Sequence, residues 1–194
     1  MTISLQKGGD VNLSVIAPTT KSVRFCMGWD AHATDPDVFI DIDAICFMLN
    51  TSGKLPGQDS FIFFNNLKSA DGAVEHLADI FSGDCDNDDL ECIKVDLSKI
   101  APDLHKVVVA LTIHDGDARK LNFGMVSNAY IRVVDAAGND AEIARFDLPG
   151  NTTTETAMIL GELYRDGSDW KFKAIGQGFN GGLKALAESF GLNW

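Results

Sequence analysis

The sequence predicts an all-β protein, a two-sheet β-sandwich with a short C-terminal helix. Short runs rich in Val, Ile, Phe and Leu recur along most of the 194 residues, and clusters of Gly, Asp, Asn and Pro separate them. This is the pattern of strands joined by turns. Because few stretches show helical spacing, ten or so strands favour a sandwich with mainly antiparallel pairing. The sequence shows no linker and no internal repeat, so we expect one domain over residues 1–194.

The predicted strands follow the apolar runs in order. They are Val11–Val15, Ser22–Gly28, Val38–Asn50, Phe61–Asn65, Cys92–Leu97, Lys106–His114, Ala129–Val134, Glu142–Asp147, Ala157–Tyr164 and Trp170–Ile175. A helix is predicted over Gly182–Phe190, where Leu183, Leu186 and Phe190 recur at three- and four-residue spacing. A short helical turn is predicted within Asp117–Phe123.

Composition excludes several classes of protein. The longest apolar runs fall short of the roughly 18 residues that a membrane helix needs, and the first residues lack the basic-then-apolar pattern of a signal peptide. We therefore expect a cytoplasmic protein, with the membrane surface as a second location. In that compartment the four irregularly spaced cysteines are expected to be reduced thiols. A net charge of −12 argues against nucleic acid as a partner.

The acidic residues are concentrated in two segments. Residues 25–53 and 69–93 together hold 13 of the 28 acidic residues and none of the 16 basic ones. Nearly all of the excess negative charge therefore lies in these segments, which makes them the first place to look for a cation site. The alternative is that they are solvated acidic loops, which are common solubilising features.

Val38–Leu49 carries the most informative pattern. Alternate residues of a strand face opposite ways, so Ile40 to Met48 would form one apolar face, while Asp41 and Asp43 would stand side by side on the other. Two carboxylates about 4 Å apart repel each other by roughly 4 kcal/mol at an effective dielectric near 20. A basic partner, a shared proton or a bound cation relieves this repulsion, and no basic residue is near in sequence.

Oxygen ligands for a cation are abundant around this strand. The candidates from the residues alone are Asp41, Asp43, Asn65, Asn66, Asp79, Asp84, Asp86, Asp88, Asp89 and Glu91. Six to eight hard oxygen ligands with flexible geometry suit Ca²⁺ better than Mg²⁺, which retains its waters. An EF-hand loop starting at Asp84 is excluded, because Asp89 stands where that loop needs Gly and Val95 where it needs Glu.

Three other motifs have competing interpretations. Gly176, Gly178 and Gly181 form a GxGxxG pattern, but only 13 residues follow it, so a strand-to-helix turn is favoured over dinucleotide binding. The string His114–Asp117 is read as a polar turn, with a catalytic or metal-binding site as the alternative. Asp41 and Asp43 could also form an acid–base pair of a hydrolase, but nothing else in the chain indicates a sugar cleft.

Many long motifs in register resemble one family, the TerD proteins of tellurite resistance and general stress response. They are SLQKGGDVNLS near the start, GWDA (Gly28–Ala31), DIDA (Asp41–Ala44), FIFFNNLKSADGAVEH (Phe61–His76), IKVDL (Ile93–Leu97), TIHDGDAR (Thr112–Arg119), NFGMVSNAYIRVVD (Asn122–Asp135), and the C-terminal TETAMILGELYR and WKFKAIGQGFNGGL. The resemblance covers almost the whole chain.

The resemblance implies a calcium-binding β-sandwich that holds the metal with acids of its N-terminal half. Carried over by position, the implied site residues are Asp30, Asp41, Asp43, Asn65, Asn66, Asp79, Gly83, Asp88, Asp89 and Glu91. Ile80 stands where the family usually has Asn, and Cys85 and Asn87 replace glycines, so the number of ions is left open.

The resulting hypothesis is a calcium-binding stress-response protein, associated with tellurite or chemical-stress resistance, that acts by binding and is not an enzyme. Its expected partners are calcium ions, other stress or tellurite-resistance proteins and the inner membrane surface. The alternatives are a calcium-dependent adaptor on membranes or proteins, and an unrecognised enzyme.

Overall fold

The computed structural model of the protein describes residues 2–32, 39–77, 89–137, 140–150 and 153–193. Over these residues twelve strands form two six-stranded sheets. The strands are β1 (Ile3–Ser4), β2 (Asp10–Asn12), β3 (Ser22–Ala31), β4 (Ile42–Asn50), β5 (Phe61–Ile62), β6 (Val74–His76), β7 (Glu91–Asp96), β8 (Leu104–Ile113), β9 (Val126–Asp135), β10 (Glu142–Asp147), β11 (Ala157–Asp166) and β12 (Asp169–Phe179). The helices are α1 (Leu13–Ile16), α2 (Gly116–Arg119) and α3 (Gly182–Ser189).

The two sheets confirm the predicted sandwich. Sheet A has the order β1-β10-β9-β3-β7-β6, and sheet B the order β2-β12-β11-β8-β4-β5. β1 pairs with β10 in parallel, and the other strand pairings of the described residues are antiparallel. No helix within the described ranges is both long and apolar enough to span a bilayer.

The main apolar core lies between the sheets. Phe25 of β3 and Phe172 of β12 stack across it with ring centroids 5.4 Å apart. Alternate side chains from Ile40 to Met48 all belong to this core, so the predicted apolar face of β4 is confirmed. Each fully buried large side chain of this kind contributes about 1.5–3 kcal/mol relative to an exposed one.

The other face of β4 is also buried, because α3 covers it. Ile45, Phe47 and Leu49 pack in a second cluster with Leu186 and Ala187 of the helix. This arrangement explains why the strand is apolar on both faces. It also confirms the predicted helix, which ends one residue earlier than expected.

Several predicted strand limits are wrong for local reasons. β2 ends at Asn12, whose side chain accepts a hydrogen bond from the Val15 amide at 3.2 Å and caps α1, as N-cap residues do. β5 ends at Ile62 because the backbones of Phe63 and Asn66 bond to each other in a turn. β1 and β6, two and three residues long, are too short to show alternation and were not predicted.

The region predicted as a helical turn within Asp117–Phe123 divides into two. α2 begins one residue earlier, at Gly116, and ends where Lys120 adopts a left-handed conformation with φ of 57°. A separate 3₁₀ turn follows at Phe123–Met125. Val38, the first residue of the predicted strand Val38–Asn50, lies outside the described residues. The strand itself, β4, begins at Ile42.

The cysteine prediction is wrong for one pair. Cys26 of β3 and Cys92 of β7 oppose each other in register and are joined as a disulfide. Cys46 is a free, buried core thiol, as expected, and burial raises its pKa. Cys85 lies outside the described residues.

Candidate functional site

Strand register brings most of the described acidic candidates to one end of the sandwich. In sheet A, Asp30 pairs with Ser127 near the start of β9, and Glu91 pairs with Met27. In sheet B, Asp43 pairs with Thr112 near the end of β8. Because the chain runs from the end of β8 through α2 to the start of β9, these positions belong to the same end. We call the end that holds Asp30, Asp41, Asp43, Asp89, Glu91, Asp115 and Asp117 the acidic end.

A cavity of about 370 Å³ opens at this end, in sheet B. Asp43, Asp115 and Asp117 line it, together with Lys184 from the first turns of α3. Asp115 holds a left-handed conformation with φ of 50° as it starts α2, and the Thr156 hydroxyl lies 3.5 Å from an Asp117 carboxylate oxygen. Three carboxylates from two separate chain segments therefore line one cavity, although their oxygen atoms do not all lie within 4.8 Å of one another.

Sequence reasoning favoured a structural turn for Asp115 and Asp117, with a catalytic or metal-binding site as the alternative. The turn interpretation of HDGD is confirmed, since the string forms the start of α2, but the same turn also lines the cavity. The missing information was the pairing of β4 with β8. Once Asp43 is opposite Thr112, the residues that directly follow β8 must lie beside it.

Asp41 and Asp30 lie on the exposed margin of the acidic end. The Asp41 carbonyl accepts a hydrogen bond from the His114 amide at 2.9 Å, which fixes the backbone entering β4 against the end of β8. The Asp30 carboxylate accepts a hydrogen bond of 2.6 Å from the Asn128 side chain. A register shift between Gly28 and Asp30 marks a bulge there, and bulges re-aim side chains at the ends of sheets.

Asp89 has partners other than a metal ion. Its side chain has no exposed surface, and its two oxygens lie 3.0 and 3.1 Å from Arg132 Nε. Tyr130 donates a further hydrogen bond of 2.8 Å. Burial, reinforced by this bond to Asp89, raises the pKa of the Tyr130 hydroxyl. The geometry favours a structural role for Asp89, and its prediction as a calcium ligand stays untested.

Glu91 points between the sheets and contacts a histidine. One Glu91 carboxylate oxygen lies 3.3 Å from His76 Nε2, which also lies 3.1 Å from the carbonyl oxygen of Ala44. Since His76 belongs to β6 of sheet A and Ala44 to β4 of sheet B, this contact links the two sheets directly beneath the acidic end.

The structure places Asn65 and Asn66 at a different cavity from Asp43. Both line a space of about 440 Å³ with Phe61, Phe63 and Leu192. The Asn66 side chain donates to the Phe61 carbonyl at 2.6 Å, so part of its polar capacity stabilises the turn after β5. Their prediction as calcium ligands alongside Asp43 gains no support from this position.

The remaining predicted ligands, Asp79, Gly83, Asp86 and Asp88, lie outside the described residues. Within the described ranges, one group of three potential metal-ligating side chains lies close together, namely Cys26, Asp89 and Cys92. Its two sulfur atoms are bonded to each other and its carboxylate binds Arg132. Those atoms are therefore already used, and this group does not resemble a metal site.

Comparisons with known proteins identify the family. The TerD domain model matches residues 1–190. The chain is 47% identical to the tellurium resistance protein TerD of Serratia marcescens over 193 residues, covering 100% of this chain and 99% of that protein. It is 42% identical to general stress protein 16U of Bacillus subtilis over 192 residues, covering 99% of this chain and 98% of that one.

Solved structures agree in fold. A homologue of the telluride resistance protein TerD from Streptomyces coelicolor superposes with a TM-score of 0.64 at 21% identity, covering 87% of this chain and 95% of that chain. Relatives of this protein thus include tellurium-resistance and general-stress proteins. From the extent of these matches, the chain belongs to the TerD family.

Proposed function

We propose that this protein binds calcium at its acidic end and takes part in the response to tellurite or chemical stress through binding, without catalysis. The observation that supports this proposal most directly is the cavity lined by Asp43, Asp115 and Asp117. The names of its relatives, which include tellurium resistance and stress response proteins, support the second part. We expect the protein to act in the cytoplasm or at the inner membrane surface.

The chemistry of the donors favours calcium over other cations. Every proposed ligand atom at the cavity is a carboxylate oxygen, and Asp30 and Asp41 add two more carboxylates elsewhere at the acidic end. Calcium accepts six to eight such oxygens in flexible geometry, whereas zinc and copper prefer nitrogen and sulfur. Magnesium demands stricter octahedral geometry and keeps more water. A site built from several chain segments, each of which can adjust its position around the ion, therefore suits calcium best.

Bound calcium would act mainly by neutralising the carboxylates at the acidic end. Carboxylates that face one space repel each other, and the chain carries a net charge of −12. An ion shared among Asp43, Asp115 and Asp117 would relieve that repulsion and tie β4 to the turn after β8. A ligand that binds the folded state alone stabilises it by mass action, by about 2.7 kcal/mol at 100 times its dissociation constant. Calcium would thereby fix the shape of this end for a partner.

Calorimetric titration of calcium into chelator-treated protein tests the proposal. We expect saturable heat, a higher melting temperature and much weaker binding of magnesium. Asp43→Asn and Asp117→Asn should each weaken calcium binding at least tenfold. Asp103→Asn is the matched control, because Asp103 is an exposed carboxylate that precedes β8 at the opposite end. Absence of heat and of stabilisation at millimolar calcium would refute the calcium proposal.

A second candidate function is calcium-dependent attachment to a membrane surface. Phe39 is 75% exposed and Phe64 is 45% exposed, and both flank α2. The Phe39 carbonyl accepts a hydrogen bond from Arg119, and Phe64 lines the cavity of Asp43. Co-sedimentation with phosphatidylserine vesicles, with and without calcium, separates this function from the first. A Phe39→Ser, Phe64→Ser variant that binds calcium but no longer sediments with vesicles would support attachment. Wild-type protein that does not sediment with vesicles in the presence of calcium would exclude it.

A further inference from the structure

The Cys26–Cys92 disulfide lies on the outer face of sheet A, apart from the main core. Phe25, Met27 and Ile93 face the core between the sheets, so their neighbours Cys26 and Cys92 face outward. There the two sulfurs form a small buried cluster with Val134 of β9, and Leu77 packs against it. The two Cα atoms are 4.3 Å apart, as expected for directly opposed residues of an antiparallel pair.

The strand ladder holds these cysteines together independently of the bond. β3 and β7 pair continuously from Ser22 with Asp96 to Met27 with Glu91, and the cysteine pair lies within that ladder. After reduction the two thiols would stay opposed because the backbone pairing fixes their positions. Two groups held in this way have a high effective concentration, which favours re-formation of the bond on oxidation.

Among the described residues, the pairing of β6 with β7 ends before Cys92, and local opening at this place would give a reductant access to the bond. β6 pairs with β7 from Val74 with Val95 to His76 with Ile93 and stops short of Cys92. Beyond it, the Leu77 amide donates to the Cys92 carbonyl at 2.9 Å. Segments held by few hydrogen bonds at the end of an edge strand open at lower free energy than the core.

The disulfide also lies beside the charged network of the acidic end. An oxygen atom of Asp89 and the sulfur atoms of Cys26 and Cys92 lie within 4.8 Å of one another. Arg132, which binds Asp89, pairs with Cys26 across β3 and β9. The bond therefore joins the strand that carries Asp30 to the strand that begins with Glu91.

We propose that Cys26 and Cys92 form a reversible thiol–disulfide exchange site that sets the stability of the β3–β7 strand pairing. A dithiol reductant supplies two electrons and two protons, the Cys26–Cys92 bond breaks to give two thiols, and the reductant leaves as its own disulfide. A peroxide reverses the step: the two thiols lose two protons and two electrons to it, the sulfur–sulfur bond forms, and two waters are released. Breaking and re-forming this bond requires no bound calcium.

The expected size of the effect follows from the loop that the bond closes. The two cysteines are 66 residues apart in sequence, and chain-entropy estimates for such a loop correspond to a melting-temperature change of roughly 10 °C in a chain of this size. Reduction should therefore lower the melting temperature by about that amount.

The test measures melting temperature and free thiols in chelator-treated protein, first exposed to oxidised glutathione and then to dithiothreitol. After oxidation, alkylation of denatured protein should label two of the four cysteines, and all four after reduction, with hydrogen peroxide restoring the oxidised state. Cys26→Ser, Cys92→Ser should melt like the reduced protein and ignore dithiothreitol, whereas the control Cys85→Ser should keep the full response. Four labelled cysteines after oxidation, or a shift below about 2 °C on reduction, or failure to re-form the bond, would each overturn the proposal.

Discussion

Replacing Arg132 by methionine should be strongly destabilising, because it removes the cation that compensates a buried carboxylate. The Asp89 side chain has no exposed surface and that of Arg132 is 11% exposed. Removing one partner of a buried ion pair leaves an uncompensated charge and typically costs about 3–5 kcal/mol. At roughly 2–4 °C per kcal/mol for a chain of this length, the melting temperature should fall by about 6–20 °C.

The reverse substitution, Asp89→Asn, should cost less. Arg132 retains some solvent exposure, and its guanidinium also lies 3.4 Å from Glu142, so its charge is not left alone. Combining both substitutions removes the buried charge as well as its partner. The double variant should therefore be more stable than the sum of the single losses predicts, by about 2 kcal/mol or more.

Urea unfolding in the presence of a chelator measures these differences. Lys171→Met serves as the control, since its pair with Asp166 is largely exposed and such pairs contribute about 1 kcal/mol or less. Folded Asp89→Asn protein should keep its calcium affinity within tenfold. If Arg132→Met lowers the free energy of unfolding by under 1 kcal/mol, or if the effects of the two single substitutions add, the ion pair does not stabilise the buried Asp89 carboxylate. Asp89 would then again be a candidate calcium ligand.

Three further predictions follow from packing and ionisation. Burial and a hydrogen bond to a carboxylate raise the pKa of Tyr130, and the same two causes raise that of Tyr164 to about 12. The folded protein then holds these protons more tightly, so the stability they contribute is intact below the unfolded phenol pKa of about 10 and is lost as pH rises above it. Absorbance titration near 295 nm should show little phenolate at pH 10.5, and normal ionisation of both tyrosines there would contradict this. Gly161→Ala should cost roughly 1–3 kcal/mol, because its Cβ would lie 2.6 Å from a ring carbon of Phe172, whereas Gly57→Ala meets nothing within 4 Å and should be near neutral by urea unfolding. Leu186→Ala should cost about 2–5 kcal/mol, since Leu186 of α3 is fully buried against sheet B; an unchanged unfolding midpoint would mean that the helix does not cover sheet B in solution.

Sequence patterns predicted those parts of the fold that depend on local alternation. The two faces of β4 could be assigned because Ile42 to Met48 alternate with Asp43 to Leu49, and the structure confirms the core face. The short strands β1 and β6 could not be predicted, since two or three residues carry no recognisable period. Their pairing depends on neighbours far away in the chain.

Strand register accounts for the parts of the site that the sequence did not reveal. Cys26 and Cys92 are separated by 66 residues, and nothing in their spacing indicates that β3 and β7 would place them directly opposite each other. The same holds for Asp43 and Asp117, which line one cavity only because β4 pairs with β8. Register is set by which side chains can be buried together, and that is a property of the whole sandwich.

The acidic residues of this protein have different surroundings, and their density along the sequence does not predict which of them line the cavity. Asp89 lies in one of the two most acidic segments, yet it is neutralised by Arg132 from a distant strand. Asp115 and Asp117 lie outside both segments, yet they line the cavity with Asp43. Charge density along the chain therefore identifies the acidic end of the molecule, but not the individual carboxylates that line its cavity. The carboxylates that share a cavity can therefore be assigned only from strand pairing, because the order of residues in the chain does not show which side chains the fold brings together.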